Sequence, residues 1–274
     1  MVTRNSVRAG SLGALVIAGA LVAVVIGQGG ASKSVEPGPA VQQAAVQVSA
    51  QSAAPSGQLI TVQGSGARNT HVMVTAWTWR GGQWRRVLGP WPGRIGYSGF
   101  STMGIGKRRQ NSGTTPVGVF SLTQAFGILP NPGTAMPWQQ VTKRSWWPYD
   151  PRDPATYNLL QSRRTAAARW STSPTWSEHL IDYRSEYAYS VVINFNTPAS
   201  SYFEGGLALT RTPVDTSAGG GIFLHVNGSG PTAGCVSVSS SRMKRLLRWL
   251  RPGRSPRIAL GPASVLSAMN QPRI

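Results

Sequence analysis

The sequence predicts a mainly β protein: a β-sandwich with one helix near its C-terminus and irregular loops rich in aromatic residues. Val, Thr, Trp and Tyr, which favour extended backbone, recur in short runs along the chain. Turn-forming residues separate these runs, since the 274 residues include 32 Gly and 20 Pro. The length is sufficient for one large domain or two small ones, each with its own core.

The N-terminal segment, residues 1–32, is typical of either a signal peptide or a membrane anchor. Arg4 and Arg8 precede an uncharged, mostly apolar stretch at residues 9–32 that ends in small residues. A cleavable export signal has this organisation, and an uncleaved stretch of this length is able to span a bilayer. Both interpretations predict an exported domain in the cell wall or at the extracellular face of the membrane.

Residues 33–57 are predicted to form a disordered linker. Ala, Gln, Ser and Pro dominate this segment, and it contains no aromatic residue. Such a composition buries too little apolar surface to fold independently. The folded domain is therefore expected to span residues 58–274.

Alternating apolar residues predict the strands of this domain. Two strands at 58–64 and 71–80 lead through a turn at 81–83 into a third at 84–89, as in a β-meander. A turn followed by a strand is predicted at 113–122, because Pro116 and Gly118 precede residues that prefer extended backbone. Further strands are expected at 187–196, 221–226 and 257–261.

A long loop and a helix complete the predicted domain. Residues 136–158 are rich in Pro, Trp and Tyr, and are interpreted as an irregular loop that borders a site or caps the core. The serines at 239–241 are candidate N-caps for a helix that ends at Pro252 and Gly253. Its apolar stripe has helical spacing and comprises Met243, Leu246, Leu247 and Leu250.

The charge of the chain is strongly positive. The formal net charge is +19, and residues 58–274 alone hold 24 basic and 7 acidic side chains. For an exported protein this excess favours anionic wall polymers or a membrane surface as partners, and no nucleic-acid partner is expected. The alternative is that the arginine content reflects codon usage and that these side chains form a solvated surface.

The chain contains a single cysteine, Cys235, ten residues after His225. A single cysteine either forms an intermolecular disulfide, is inert, or is reactive. A nearby imidazole is able to take the thiol proton and give a thiolate–imidazolium pair. The glycines between the two residues allow a tight hairpin that would bring them to one end of two strands. The pattern favours nucleophilic catalysis about as strongly as a structural role.

The stretch HVNGSGPTAGCVSV, residues 225–238, resembles the active-site motif of the L,D-transpeptidases with a YkuD-type catalytic domain. A second stretch, GTTPVGVFSL at 113–122, is similar to the Thr-Pro-x-Gly-x-Phe element of the same family. The short spacing between His225 and Cys235 resembles the branch with a short His-to-Cys loop. Here Ala233 stands where the family commonly has a second histidine, and Ser237 stands where it has asparagine.

The resemblance implies a two-step acyl transfer on peptidoglycan stem peptides. Cys235 would attack a stem tetrapeptide and release D-Ala, with His225 as base and then acid. An amine of a neighbouring stem would then give a 3→3 cross-link, or water would give an L,D-carboxypeptidase. The residues expected to form the oxyanion hole or to support the loop are Gly234, Thr232 and Ser237, and a backbone carbonyl is expected to orient His225.

No metal or organic cofactor is expected, because the three histidines are scattered and no HExxH pair occurs. A non-catalytic wall-binding protein with the same fold remains the alternative to an enzyme. The family chemistry also implies that carbapenem-type β-lactams acylate Cys235.

Overall fold

The structure, a computed structural model, describes residues 56–162 and 168–274. The predicted signal peptide or anchor at 1–32 lies outside the described residues, as does all of the predicted linker except residues 56 and 57. In the described ranges, no helix combines the length and the apolar character needed to cross a membrane.

The described chain is mainly β, as predicted. Its strands are β1 (Gln58–Gly64), β2 (His71–Arg80), β3 (Gln83–Arg94), β4 (Gly118–Gly127), β5 (Trp138–Gln140), β6 (Ser145–Pro148), β7 (Gln161–Ser162), β8 (Ser177–His179), β9 (Ser190–Ile193), β10 (Tyr202–Glu204), β11 (Leu207–Leu209), β12 (Phe223–Val226), β13 (Val236–Val238) and β14 (Arg257–Pro262). The α-helices are α1 (Ser240–Trp249) and α2 (Ala263–Ala268), and short 3-10 turns occur at Leu180–Asp182, Glu186–Ala188 and Pro252–Arg254.

One large sheet organises the domain. Its strand order is β14-β1-β2-β3-β13-β12-β9-β4-β5, and β14 also pairs with β4. The sheet therefore closes on itself and encloses the main core between two layers. Two small sheets, β7-β6-β8 and β10-β11, are built from the segment between β5 and β12.

The helix after Cys235 packs into this core, as its apolar stripe predicts. The four stripe residues are fully buried against strands of the large sheet: Met243, Leu246, Leu247 and Leu250. The predicted serine cap is only partly realised. Ser239 occupies the N-cap position, but its side chain bonds to Ser241 rather than to a backbone N–H of the first turn.

Several predicted elements differ from the structure. β3 continues through Pro90 and Pro92 to Arg94. β2 pairs with β3 at Pro92, whereas β13 pairs with β3 only at Arg94, so the two prolines do not have to donate to β13. The strand predicted at 187–196 is limited to β9, since residues 186–188 form a 3-10 turn. The 136–158 segment, predicted as an irregular loop, contributes β5 and β6.

The predicted hairpin between His225 and Cys235 is wrong, because β12 and β13 are parallel. The connecting loop does not turn tightly but runs beside residues 95–97, the segment that follows β3. Its Thr232 exchanges backbone hydrogen bonds with the 95–97 segment: Thr232 N–H donates to Ile95, and Tyr97 N–H donates to Thr232. This pairing returns the chain to the beginning of β13 beside β12.

Candidate active site

Cys235 lies immediately before β13 and lines an open cleft. The residue is 8% exposed. Its sulfur accepts a hydrogen bond from Phe223 N–H at 3.3 Å, and the thiol donates to the Gly221 carbonyl at 3.2 Å. The cleft is also lined by the charged and aromatic side chains of Tyr97, Arg108, Tyr149 and Glu178.

His225 lies on the same face of the sheet as Cys235. The parallel ladder pairs Leu224 with Val236 and His225 with Ser237. Because side chains alternate between the two faces of a strand, residues 225, 235 and 237 share one face. Tyr187 contacts His225 edge-on, with ring centroids 5.6 Å apart, and packs in the same buried cluster as Cys235. The fold therefore brings the two predicted catalytic residues together around Tyr187.

In the described part of the chain, the thiol and the imidazole lie on one face of the sheet but are not hydrogen-bonded to each other. Within residues 56–162 and 168–274, the hydrogen bonds of Cys235 Sγ go to residues 221 and 223. The Nδ1–H of His225 donates to the Val226 carbonyl at 2.7 Å. This bond fulfils the expectation that a backbone carbonyl orients the ring, and it leaves Nε2 as the proton acceptor. To reach that nitrogen, the thiol must rotate away from Gly221.

Burial determines the resting protonation states. It raises the pKa of the Cys235 thiol to about 12, and the neighbouring Glu178 carboxylate contributes to this increase. It lowers the pKa of His225 to about 4, against the opposing effects of the Val226 hydrogen bond and Glu186. Both groups are therefore neutral at pH 7. The thiolate–imidazolium pair expected from the sequence is not the resting state of this structure.

Alkylation of the substrate-free thiol by iodoacetamide is expected to be slow. At pH 8 a thiol with a pKa near 8.5 is about one quarter ionised, whereas a thiol with a pKa near 12 is ionised to about one part in 10⁴. The rate constant should therefore be lower than that of a free cysteine by roughly 10³-fold and should rise with pH beyond pH 10. Intact mass measured against time gives the profile, and protein unfolded in guanidinium is the control. A plateau below pH 8 would contradict a neutral resting thiol.

The loop before Cys235 is held by two threonines. Thr232 Oγ1 donates to the Cys235 carbonyl at 2.6 Å and accepts from Gly234 N–H at 3.1 Å. Thr115, which belongs to the family-like element, donates to the Gly234 carbonyl at 2.8 Å and is fully buried. Gly234 has φ +148, and a Cβ there would lie 2.9 Å from the Thr114 oxygen, so only glycine fits. Since Gly234 N–H is bound to Thr232, Cys235 N–H is the stronger oxyanion-hole candidate of the two.

Arg108 is a buried cation beside Cys235 that sequence reasoning missed. Its three guanidinium nitrogens donate to backbone carbonyls of Thr114, Ala218 and Ala233. The residue is 7% exposed, and burial lowers its pKa, while the nearby Cys235 thiolate would raise it. Among the described residues it has no acidic partner. Arg108 therefore joins three loops at the cleft and supplies positive potential where negative charge would develop on sulfur or oxygen.

Ser237, predicted as loop or oxyanion support, lies within β13 rather than in the loop. It is the register partner of His225 on one side, and Ser190 of β9 is the partner on the other side. Both hydroxyls are buried and have no hydrogen-bond partner in the described part of the chain. Two buried hydroxyls thus flank His225 in register, one on each neighbouring strand.

Across the described residues, no three His, Cys, Asp or Glu side chains converge as metal ligands. His179 is occupied structurally: its ring stacks on Trp146 with centroids 4.3 Å apart and bonds to Asp182 and to the Lys143 carbonyl.

The family model of the L,D-transpeptidase catalytic domain, YkuD, matches residues 68–258. The chain belongs to this family. The match includes both motifs seen in the sequence and every cleft residue described above.

One solved structure similar to this YkuD domain is the crystal structure of the helical cell shape determining protein Pgp2 from Campylobacter jejuni. The sequences are 12% identical, the match covers 79% of this chain and 49% of that chain, and the TM-score is 0.34. The chain thus spans about half the length of that protein. No curated protein sequence is significantly similar to the chain.

Proposed function

We propose that this protein is an exported peptidoglycan L,D-transpeptidase that uses Cys235 as nucleophile and His225 as base. The observation that supports this most directly is the position of the two residues on one face of the sheet, beside a cleft that Cys235 lines. Cys235 packs in a buried, largely aromatic cluster, and its sulfur also meets backbone polar groups and a cleft that holds Arg108 and Glu178.

In the first step, the sulfur attacks the carbonyl that joins the third stem residue to the terminal D-Ala. Because the thiol is neutral at rest, its proton passes to His225 Nε2 as the C–S bond forms. The Cys235 N–H, with the positive potential of Arg108, stabilises the oxyanion. The imidazolium then protonates the leaving amine, and D-Ala departs from the thioester.

In the second step, an amine or water opens the thioester, with His225 as the base. An amine of a neighbouring stem yields the 3→3 cross-link, and water yields the carboxypeptidase product. Ser237 and Ser190, which flank His225 in register, would hold the imidazolium formed in each step. Thr232 and Gly234 shape the loop that presents the Cys235 N–H.

The proposal includes a location outside the cytoplasm and a contact with anionic wall polymers or a membrane surface. The N-terminal pattern of residues 1–32 and the net charge of +19 support both. In the described structure, the sequence from Thr216 to Ile274 contains no acidic residue, and α1 presents its basic side chains from this part of the chain.

The products from a disaccharide-tetrapeptide test the proposed reaction. The full-length protein is expected to release D-Ala and to form a cross-linked dimer, both detected by mass spectrometry. Tripeptide without dimer at high substrate concentration would show a carboxypeptidase instead. Binding to wall fragments without loss of D-Ala would show the non-catalytic wall-binding protein, and would overturn the proposed enzyme.

A further inference from the structure

Glu178 is an acidic residue at the cleft that has no role in the proposed attack by Cys235. It lies in β8, opposite Trp147 of β6, and is partly exposed. Its carboxylate lines the same cleft as Cys235. The Tyr187 hydroxyl donates to Glu178 Oε2, and the Tyr187 ring contacts His225. Glu178 is thus linked through one side chain to the proposed base.

Among the described residues, the Glu178 carboxylate has no cationic partner. Asp150 pairs with Arg152 and Asp153 with Arg169, but Glu178 forms no ion pair within residues 56–162 and 168–274. In the same ranges Tyr187 is the sole hydrogen-bond partner of its side chain. The guanidinium of Arg108, in the same cleft, is committed to three backbone carbonyls. Because Glu178 is partly exposed at the cleft, its carboxylate is open to a cationic ligand that enters from solvent.

The distribution of charge agrees with this interpretation. All seven acidic residues of the segment 58–274 lie between residues 150 and 215. In the rest of that segment, every charged side chain is basic. Such a surface repels an incoming ammonium group over about a Debye length, roughly 8–10 Å. A carboxylate beside the nucleophile offsets this repulsion where the amine must react.

We infer that Glu178 forms a subsite for the primary ammonium group of the acceptor stem, and so favours transfer to an amine over hydrolysis. This inference rests on the proposed function and assigns the acceptor side of the same cleft. The observation that carries it is the Glu178 carboxylate, which lines the cleft with Cys235 and, within the described ranges, is bonded by Tyr187 alone.

The subsite also supplies a proton acceptor, and the step is balanced. The bound R–NH₃⁺ gives one proton to the Glu178 carboxylate, and the free amine attacks the thioester carbonyl. As the C–N bond forms and the C–S bond breaks, His225 takes a second proton from nitrogen and passes it to the departing sulfur. The products are the amide, the Cys235 thiol and protonated Glu178. Burial raises the pKa of Glu178 to about 7, which brings it closer to that of an amine.

The partition of the acyl-enzyme between amine and water tests this subsite. A disaccharide-tetrapeptide donor and a tripeptide stem with a free side-chain amine are incubated with full-length wild type, with Glu178→Gln and with Glu204→Gln. Glu204 is an exposed acid of β10, so Glu204→Gln is the control. Glu178→Gln is expected to lower the ratio of amide to hydrolysis product by about 10-fold to 100-fold, as for a lost charged hydrogen bond. The ratio is taken within each variant, so it is independent of the rate of D-Ala release; Glu204→Gln should keep the wild-type ratio, and Glu178→Asp should restore part of it.

Two outcomes would overturn the inference. An unchanged ratio in Glu178→Gln would show that the carboxylate does not select the amine. An equal fall in D-Ala release and in amide formation would place Glu178 on the donor side instead.

A binding measurement separates this inference from the proposed reaction. In the Cys235→Ala protein, calorimetry compares the tripeptide stem with its side-chain N-acetyl derivative. Binding of the free amine should be tighter, and Glu178→Gln should remove that preference while leaving the acetylated stem unaffected. Equal binding of both stems would refute the subsite even if wild type turns over. Absence of turnover in wild type, with the preference intact, would refute the transpeptidase alone.

Discussion

Replacing Cys235 with alanine is expected to abolish both D-Ala release and acylation by a carbapenem-type β-lactam. The sulfur is the only thiol in the chain, so no other cysteine is able to substitute for it. Loss of the nucleophile removes nearly all covalent catalysis, and a decrease of roughly 10³-fold or more is expected. Intact mass should show no adduct at saturating drug, while wild type gains one acyl group per chain.

A loss of folding must be distinguished from a loss of chemistry in this variant. Cys235→Ser is the matched control, because its hydroxyl is able to keep the hydrogen bonds to Phe223 and Gly221. Both variants should retain a cooperative thermal transition, since removing one buried atom costs about 1 kcal/mol. Serine should also be inactive, because its hydroxyl is a far weaker nucleophile without a strong base. If Cys235→Ala released D-Ala at the wild-type rate, the proposed function would fail.

The local elements of the fold follow from the sequence because local interactions determine them. The alternation in residues 58–64 and 71–80 corresponds to β1 and β2 at the same residues. The apolar stripe of α1 is buried as its spacing predicts. In each case, one apolar face must be covered, and the period of that face is visible in the chain itself.

The arrangement of the site depends on contacts that no local pattern contains. The parallel pairing of β12 and β13 rests on hydrogen bonds between Thr232 and residues some 135 positions earlier in the chain, at 95–97. A Gly-rich loop between two short strands is equally compatible with a hairpin, so the sequence favoured the more common solution. Pairing of His225 with Ser237 and Ser190 follows from the same long-range register.

The residues that sequence reasoning missed are those that reach the cleft from distant segments. Arg108 is joined to Ala233 across 125 positions, and Glu178 reaches Cys235 only through the packing of β8 on β6. One signal was present for Glu178: acidic residues are rare and confined to residues 150–215. Thr115 was visible as part of a motif, but its bond to the Gly234 carbonyl, which shapes the nucleophile loop, was not.

Replacing His225 with asparagine is expected to slow acylation of Cys235 by about 10²-fold to 10⁴-fold, the usual contribution of a general base. Asparagine keeps a side-chain N–H near the position of Nδ1, so the hydrogen bond to the Val226 carbonyl is able to persist while Nε2 is removed. Single-turnover acylation by tetrapeptide or carbapenem, followed by intact mass, measures the effect. Thermal unfolding should show that the variant remains folded.

The pH profile of this variant distinguishes a base from a structural residue. In wild type, a His225 pKa near 4 keeps the imidazole neutral, and hence able to accept a proton, from pH 8 down to about pH 5. Acylation should therefore persist well below the ordinary histidine pKa of 6.5. Without the imidazole, the rate should depend on the thiolate fraction and rise about tenfold per pH unit, because the thiol pKa lies near 12. An unchanged rate with a flat profile would mean that a group other than His225 takes the thiol proton.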